Sequence, residues 1–300
     1  MTAARPGGGL GLGMGWRPEL ALMIERRADL GFVEVVAENF MGLDRARRVP
    51  VALQVLRERG LAVVPHGLSL SLGGAEALQR ARLKALAGLA RQLDSPLVSE
   101  HLAFVRAGNL ESGHLLPVPR TRESLEVVVR NVRDAQAMLP APLVLENIAS
   151  LFEWPGAEMT EAQFLAEVVD RTGAGLLLDL ENLYANARNL GWDMAQYLDG
   201  LPLDRVAYVH MAGGAVGHDG LYHDTHAHGV PNEVFALLGA LCERQVPAGI
   251  MIERDGDFPP DAVLHAELDA VAAWMGGRSM AVGPAGGLAA VASGPSAVPA

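Results

Sequence analysis

The segment TEAQFLAEVVDRTGAGLLLDLEN, residues 160–182, joins a helix pattern directly to a strand pattern. Its first half spaces apolar residues three and four apart, which predicts a helix with one buried face. Thr160 is a typical residue to begin that helix, and Gly173 is a typical residue to end it. The apolar run after Gly173 predicts a buried strand. That run ends in three polar residues, Asp179, Glu181 and Asn182.

The same alternation extends along the chain, which contains eight short apolar runs separated by segments with helical periodicity. Strands that alternate with helices form a parallel sheet, and eight such units fit a single α/β domain, a (β/α)8 barrel of the TIM type. A doubly wound sheet is the alternative. The eight runs are residues 9–14, 32–39, 61–67, 96–102, 142–148, 174–182, 205–213 and 248–255.

The barrel is predicted to cover residues 1–276 as one domain. Its glycine-dense start, GGGLGLGMG at residues 7–15, is only a weak candidate for a dinucleotide site, because no periodic helix follows it closely. Residues 277–300 consist mainly of Gly, Ala, Pro and Ser with almost no charge. This composition predicts a disordered, low-complexity tail.

Composition excludes several classes of function. The net charge of −11 disfavours a nucleic-acid-binding surface, which needs Lys and Arg to replace counterions on phosphates. The single lysine, Lys84, falls on a predicted helix, so Schiff-base chemistry is not expected. The single cysteine, Cys242, excludes an internal disulfide, and no apolar run is long enough to predict a membrane helix. We expect a cytoplasmic protein with no nucleic-acid or membrane partner.

Polar side chains with metal-binding atoms follow the apolar part of nearly every predicted strand. In a barrel these strand ends all meet at the C-terminal rim, where barrel active sites are built. Glu34 instead alternates with core residues inside the second strand and is predicted to fill the polar interior. The residues at the strand ends are Glu38, Asn39, His66, Glu100, His101, Glu146, Asn147, Asp179, Glu181, Asn182, His210, Glu253 and Asp255.

The segment HDTHAHG, residues 223–229, lies in the long connection after the seventh predicted strand, and therefore at the same rim. Asp224 and His226 are two residues apart, which places both side chains on one face of an extended loop. His223 and His228 are predicted to be solvent-exposed. Asp224 and His226 therefore join the strand-end residues as candidate metal ligands.

So many converging carboxylates would repel one another unless they were protonated or bound to cations. Imidazole and carboxylate groups without thiolates suit iron, manganese or zinc. These donors exceed what one ion needs. The pattern therefore predicts two or three metal ions with bridging carboxylates.

The ordered motifs resemble those of the multinuclear non-haem iron-dependent oxidases, the family of the methanobactin biosynthesis oxidase. The resemblance runs from about residue 9 to about residue 270 and implies a xylose-isomerase-like barrel. The segments that carry it are VVAENFMG, PHGLSLSLG, SEHLAF, LLPVPRTRESL, LENIAS, FLAEVVDRTGAGLLLDLENLYANARN, YVHMAGG, HDTHAHGV and MIERDG.

The resemblance implies a ligand set for two or three irons of mixed Fe2+ and Fe3+ state, with O2 as co-substrate. Six of the ligands are also expected to be catalytic: His66, His101, Glu146, Asp179, His210 and Glu253. The remaining ligands are Asn182, Asp224 and His226. We expect three groups, namely His66 with His101 and Glu146, Asp179 with His210 and Glu253, and Asn182 with Asp224 and His226. The residues expected to support the ligands are Glu38, Asn39, Glu100, Asn147, Glu181 and Arg254.

The implied activity is O2-dependent modification of residues, above all cysteine, in a ribosomally synthesised precursor peptide. A small partner protein is expected to recruit that peptide. The alternatives are a zinc- or manganese-dependent hydrolase or isomerase on the same barrel, and a metal-binding protein without catalysis. Arg254 is predicted either to pair with a peptide carboxylate or to neutralise the cluster.

This sequence departs from the family pattern at four points. Glu100 replaces an aspartate, and Glu181 replaces an amide. Gly214 stands where a second histidine usually follows the YVHMAG segment, and residues 17–20 lack the histidine of an R-x-x-H segment. All nine implied metal-ligand positions keep a competent side chain.

Overall fold

A computed structural model describes residues 9–41, 49–108 and 110–276 of the 300-residue chain, together with a short antiparallel pair, Ala281–Val282 and Leu288–Ala289. The predicted tail, residues 277–300, lies outside the described residues except for that pair, and its disorder stays a prediction. No helix in these ranges is long and apolar enough to cross a membrane.

Eight parallel strands close into a barrel in the order β1-β12-β9-β8-β7-β4-β3-β2. The closed sheet confirms the predicted (β/α)8 architecture and excludes the doubly wound alternative. Each barrel strand coincides with one of the eight apolar runs. The barrel strands are β1 (Gly11–Gly15), β2 (Leu30–Val36), β3 (Ala62–Gly67), β4 (Val98–His101), β7 (Leu143–Glu146), β8 (Gly175–Asp179), β9 (Val206–Met211) and β12 (Gly249–Ile252).

Helices connect the strands and cover the outside of the barrel. They are α1 (Ala21–Arg26), α2 (Val51–Glu58), α3 (Arg80–Leu93), α4 (Arg122–Gln136), α5 (Glu161–Thr172), α6 (Leu180–Leu190), α7 (Met194–Asp199), α8 (Asn232–Arg244) and α9 (Asp261–Met275).

The helix ends follow the predicted capping chemistry. Thr121 caps α4 by accepting a hydrogen bond from the Ser124 amide, and Thr160 forms a capping box with Gln163 at the start of α5. Gly173 ends α5 in the left-handed conformation, which costs glycine least. These caps fix where α5 stops and β8 begins.

Two hairpins extend the rim at the carboxyl ends of the strands. The first, β5 (Ala103–Ala107) with β6 (Leu110–Pro117), follows β4. The second, β10 (Ala215–Val216) with β11 (Tyr222–His223), lies in the connection between β9 and α8. The HDTHAHG segment begins in β11 and therefore lies at the rim, as predicted.

The inside of the barrel is layered. An apolar layer consists of Leu10, Phe32, Val64, Leu97, Val144, Leu177, Ala207, Tyr208 and Met251, all nearly fully buried. Because side chains in a strand alternate between its two faces, the residue two positions further along points to the same side. Seven members of the layer are followed at that spacing by polar residues, namely Glu34, His66, Ser99, Glu146, Asp179, His210 and Glu253. The polar layer therefore lies directly on top of the apolar layer, toward the rim.

Two details differ from the strand limits expected from the sequence. β2 ends at Val36, so Glu38 and Asn39 lie in a 3-10 helix, Ala37–Asn39, after the strand. Glu181 and Asn182 lie in the first turn of α6 rather than at the end of β8. Turning into a helix at once brings both side chains over the mouth of the barrel.

Candidate metal centre

The polar layer and the loop after β9 bring all nine predicted ligands to one end of the barrel. The side chains of the inner members are nearly inaccessible, with Glu146 1% and His210 0% exposed. We call His66, His101, Glu146, Asp179, His210 and Glu253 the inner cluster, because barrel strands or their ends carry them. We call Glu181, Asp224 and His226 the outer cluster, because α6 and the loop after β11 carry them.

Glu146 lies at the centre of the inner cluster. Its Oε2 atom is 3.2 Å from Nε2 of His66 and 3.2 Å from Nε2 of His101. Its Oε1 atom is 3.2 Å from Nδ1 of His210. The two carboxylate oxygens therefore face two different groups of donors, so Glu146 would be shared if each group held a metal ion.

His210 connects the remaining inner ligands. Its Nδ1 atom lies 3.1 Å from Oε2 of Glu253 and 3.6 Å from Oδ2 of Asp179. Asp179, Glu146 and His210 can therefore offer donor atoms to one ion. Glu146 also belongs to a second such group, with His66 and His101.

The outer cluster surrounds His226. Its Nε2 atom lies 2.5 Å from Oδ1 of Asp224 and 3.7 Å from Oε2 of Glu181. Asp224 and His226 converge as predicted, although His226 has a left-handed backbone with φ of 50° rather than an extended one. Non-glycine residues adopt that conformation only when their surroundings hold them there.

Hydrogen bonds orient the three inner imidazoles. Nδ1 of His101 lies 3.0 Å from the Gly67 carbonyl oxygen, which can only accept, so His101 donates there. Nε2 of His210 lies 3.0 Å from Oε2 of Glu34 and donates to that carboxylate. In both residues the other ring nitrogen faces the inner cluster, where it can bind a metal in place of a proton.

The third imidazole is oriented through a buried chain of hydroxyl groups. The Tyr208 hydroxyl bonds Oε2 of Glu34 and lies 2.7 Å from the Ser99 hydroxyl. The carboxylate can only accept, so the single phenol proton goes to Glu34, and Ser99 donates to the phenol oxygen. Ser99 then accepts from Nδ1 of His66 at 2.9 Å. This leaves Nε2 of His66 free to bind a metal.

Donor atoms without hydrogen-bond partners test whether a cation fits. Within the described part of the chain, several buried oxygen and nitrogen atoms of both clusters have no such partner. Buried polar atoms rarely lack a bonding partner. These atoms are therefore expected to bind an ion that lies between them. The atoms are Oε2 of Glu146, Oδ2 of Asp179, Oε2 of Glu181, Oδ1 of Asn182, Nδ1 of His210, Oδ1 of Asp224 and Nε2 of His226. Donors of this kind fit metal cations.

The pKa values show what burial does to these groups. Burial lowers the pKa of His101 to about 4, so its imidazole is neutral and able to bind a metal. Burial raises the pKa of Glu146 to about 8, and burial with Asp224 raises the pKa of Glu181 to about 10. For His210, burial alone would lower the pKa, but Glu34, Glu146 and Glu253 raise it well above its ordinary value. Without metal, protons take the place of cations.

Two of the predicted supporting residues hold the ligands directly. The Asn147 side chain donates to the Asp179 carbonyl at 2.9 Å and accepts from the Asp179 amide at 2.9 Å. Glu100 accepts the amides of Leu70 and His101, each at 3.2 Å, so its carboxylate fixes the ends of β3 and β4. Both oxygens of Glu100 are therefore directed at backbone groups.

Three other predicted supporting residues lie at the edge of the site or away from it. Glu38 accepts the Leu68 amide at 2.9 Å, and Asn39 is exposed at the end of its 3-10 helix. Arg254 is directed away from both clusters, because its guanidinium pairs with Glu267 of α9 at 3.0 Å. Neither role predicted for Arg254, a peptide contact or neutralisation of the cluster, fits this pairing.

Sequence reasoning missed Arg17, Ser99 and Tyr208. Arg17 donates to Glu253 at 3.1 Å and also pairs with Asp255, so it neutralises the edge where β12 ends. Ser99 and Tyr208 each lie two residues before a predicted ligand on the same strand. The period-two alternation of strands could have identified both of them.

The chain was compared with known proteins. Residues 11–276 match the sequence profile of a family described as RiPP precursor modification enzyme MbnB/TglH/ChrH, where RiPP denotes a ribosomally synthesised and post-translationally modified peptide. This chain belongs to that family. The match confirms the family predicted from the ordered motifs and covers the whole barrel. Members of the MbnB/TglH/ChrH family are by description enzymes that act on a precursor peptide.

Sequence relatives of this family member share most of the barrel. A UPF0276 protein of Streptomyces avermitilis is 52% identical over 278 residues, which are 90% of this chain and 56% of that relative. A UPF0276 protein of Caulobacter vibrioides is 43% identical over 272 residues, or 89% of this chain and 95% of the relative. The chain therefore spans little more than half of the Streptomyces protein but nearly all of the Caulobacter one.

Two solved structures with the same architecture are by name a sugar isomerase and a sugar epimerase. A putative xylose isomerase from Rhodospirillum rubrum has a TM-score of 0.58 at 15% identity and covers 90% of this chain and 100% of its own. A D-psicose 3-epimerase has a TM-score of 0.52 at 15% identity, over 87% and 95% of the two chains. At such low identity the similarity shows the fold alone, which is the predicted xylose-isomerase-like barrel.

Proposed function

We propose that this protein is a multinuclear iron-dependent oxidase that uses O2 to modify cysteine in a ribosomally synthesised precursor peptide. The observation that carries the proposal is the pair of Glu146 oxygens, each directed at a separate group of unpaired donors. A carboxylate in that position would hold two cations close together. Adjacent metal ions suit a reaction that moves more than one electron.

The donor set supports iron among the metals that it suits. Both clusters offer imidazole and carboxylate groups, and Cys242 on α8 belongs to none of the described groups of candidate ligands. Such donors suit iron, manganese and zinc alike, so membership of the peptide-modifying family favours iron. When bound, iron would supply redox chemistry with O2 and would lower the pKa of a substrate thiol that binds to it.

The protein's own residues hold the metals, orient the ligands and limit access. The apolar layer below the inner cluster excludes water from that side, and the strand-borne ligands are buried. The outer cluster is more open, since the side chains of Asp224 and His226 are 21% and 15% exposed. A peptide side chain therefore reaches the centre past these two residues. The expected small partner protein would hold the rest of the peptide at the rim.

Three residues position charge around the entrance. Arg17 pairs with Glu253 and Asp255, so these carboxylates are directed away from an incoming peptide. Asp255 lies 3.4 Å from Nδ1 of His226 and accepts its proton, which leaves Nε2 directed inward. Arg17 therefore offsets the negative charge of Glu253 and Asp255 at this entrance.

The experiment is to incubate the iron-loaded full chain with a cysteine-containing precursor peptide encoded beside its gene, with and without O2. Mass spectrometry of the peptide and O2 consumption are the readouts. The proposal predicts an O2-dependent mass change that is located at cysteine and is absent from a Cys→Ser peptide. The expected partner protein is included in one arm and omitted from another.

Two results would contradict the proposal. A mass change of equal size in the Cys→Ser peptide would exclude cysteine as the target. Cleavage or isomerisation that proceeds without O2 in the zinc- or manganese-loaded protein would favour the hydrolase or isomerase alternative. Lys84, the single lysine, lies exposed on α3, so a metal-assisted isomerase would have to use another proton carrier.

A further inference from the structure

Glu181 is buried at the mouth of the barrel, in the first turn of α6, with no exposed surface. One of its oxygens, Oε1, accepts a hydrogen bond from the Tyr222 hydroxyl at 3.2 Å. The other, Oε2, has no hydrogen-bond partner among the residues that the structure describes. A fully buried carboxylate oxygen without a partner carries a large desolvation cost, so this atom needs a cation or a proton.

The unpaired oxygen of Glu181 faces two further donor atoms. Oδ1 of Asp224 and Nε2 of His226 form an ion pair at 2.5 Å, and neither atom has a further hydrogen-bond partner within the described ranges. One donor atom from each of the three residues lies within 4.8 Å of the other two. Three donor atoms that converge in this way are arranged like the ligands of one ion, whose place protons take in the metal-free protein.

Gly214 makes room for the Glu181 carboxylate. A Cβ atom at position 214 would lie 2.6 Å from Oε1 of Glu181 and 2.1 Å from the His223 carbonyl oxygen. The Gly214 amide donates to the Tyr222 hydroxyl at 2.7 Å, and that hydroxyl contacts Glu181. The backbone at 214 and the Tyr222 ring therefore hold the carboxylate from behind and direct Oε2 at the outer cluster.

We infer that Glu181 is a metal ligand of the outer ion, together with Asp224 and His226, and that Gly214 is required for this ligation. Two separate departures from the family pattern, the glutamate at 181 and the glycine at 214, thus meet at one place in the structure. The inference rests on the proposed function only in assuming that the ion is iron. It differs from the sequence-based expectation, in which Glu181 supports the other ligands.

The assignment also bears on Asn182, which the sequence predicts as the third ligand beside Asp224 and His226. Its Oδ1 atom is buried and unpaired within the described residues, while its Nδ2 atom donates to the Asn147 carbonyl at 3.0 Å. Asn182 therefore remains available beside Glu181. The outer ion would then have two carboxylates, which favours a harder or more highly charged cation than one carboxylate would.

The test uses the full chain loaded anaerobically with Fe2+, with iron per chain measured by elemental analysis and each iron environment by Mössbauer spectroscopy. Glu181→Gln removes the charge, and Gly214→Ala crowds both the Glu181 carboxylate and the His223 carbonyl oxygen. Both variants are expected to lose the outer iron signal, or to release that iron to a chelator at least about 10- to 100-fold more readily. The inner iron signals should persist in both.

Matched controls separate ligation from local disturbance. Glu161→Gln changes a glutamate in the first turn of α5, away from the clusters, and Gly217→Ala crowds the same hairpin against Asp219 and His223 instead of Glu181. Both controls should keep the full metal content. Circular dichroism verifies folding, and if Glu181→Gln does not fold, Glu181→Asp, which keeps the charge on a side chain one methylene shorter, is measured in its place with the same expected loss of the outer iron.

Retention of the wild-type iron content and chelator resistance in Gly214→Ala and in folded Glu181→Gln would overturn the assignment. Failure of the proposed function gives a different result. If the wild-type chain takes up manganese or zinc instead of iron, the oxidase proposal fails. Loss of one such ion in both variants would still support Glu181 as a ligand.

Discussion

The inner and outer clusters contain the same kinds of side chain but are held in different ways. The inner ligands lie at the ends of hydrogen-bonded parallel strands, and the register of the sheet fixes their separations. His101 and Glu146, for example, are direct partners across β4 and β7. The outer ligands instead depend on the first turn of α6, on a loop, and on a left-handed backbone at His226.

This difference indicates how affinity is divided across the site. A sheet pre-organises its ligands, so binding a metal requires little ordering of the chain. A loop adjusts more easily and is closer to solvent, so it loses more entropy when an ion binds. We therefore expect inner metals that bind tightly and an outer metal that exchanges more readily, next to the entrance for the substrate.

The largest effect is expected for Glu146→Gln in the inner cluster. The amide cannot bridge two cations, so the variant should lose inner metal, and activity should fall on the order of 1000-fold or more. Elemental analysis and peptide turnover measure the two effects. Glu161→Gln is the control, because that carboxylate bonds the Tyr197 hydroxyl and belongs to neither cluster, so this variant should keep the full metal content. Full iron content in Glu146→Gln would contradict the bridging role.

The next effect distinguishes the two clusters. His226→Ala should remove the outer ion but leave the inner ions bound, and turnover should fall on the order of 100-fold. His228→Ala, two residues away on the exposed side of the loop, is the control and should change neither quantity. Loss of all metals together in His226→Ala would mean that the clusters are one cooperative unit.

A smaller effect is expected for Tyr208→Phe, in the layer below the inner cluster. Tyr208→Phe leaves Ser99 and Glu34 without their shared hydroxyl, which should weaken metal binding about 10- to 100-fold and destabilise the fold by roughly 1–3 kcal/mol. Tyr197→Phe is the matched control, since it removes a buried hydroxyl that bonds Glu161, which belongs to neither cluster. Equal metal affinity in both variants would show that the Tyr208 chain has only a structural role.

The smallest effect is a dependence of metal-free stability on pH. Burial raises the pKa of Glu146 to about 8, so the folded protein keeps a proton that the unfolded chain has lost. The raised pKa of His210 acts in the same direction, although burial alone would lower it. The folded state therefore binds more protons between about pH 7 and pH 8, and its stability falls as the pH rises.

Thermal unfolding of the chelated and the metal-loaded protein measures this dependence. The metal-free Tm should fall by roughly 2–4 °C for each proton involved between those two pH values. Bound metal displaces the same protons, so the loaded protein should show a flat profile and a metal affinity that rises with pH. A metal-free Tm that rises over this interval would contradict the assigned protonation.

The sequence predicts the barrel and most of the centre because both depend on local patterns. The sequence alone reveals apolar runs of strand length, helix caps such as Thr160 and polar strand ends. The period-two alternation that places Val64 below His66 would also have identified Tyr208 below His210.

The remaining features depend on contacts between segments distant in sequence. Arg17 meets Glu253 across the closure of the barrel, and Arg254 pairs with α9 although it is adjacent in sequence to a ligand. The place of Glu181 depends on the missing Cβ at Gly214, in another loop. Such relations follow from the closed sheet and the paths of its loops, so spacing along the chain does not reveal them.

The central claim is that two adjoining clusters of this chain hold several redox-active irons. The most direct measurement is iron per chain after anaerobic purification, with Mössbauer spectra recorded before and after a pulse of O2. The account predicts two or three irons per chain, with a ferrous fraction that falls when O2 is added. Stoichiometric zinc or manganese, with no iron that binds or responds to O2, would contradict it.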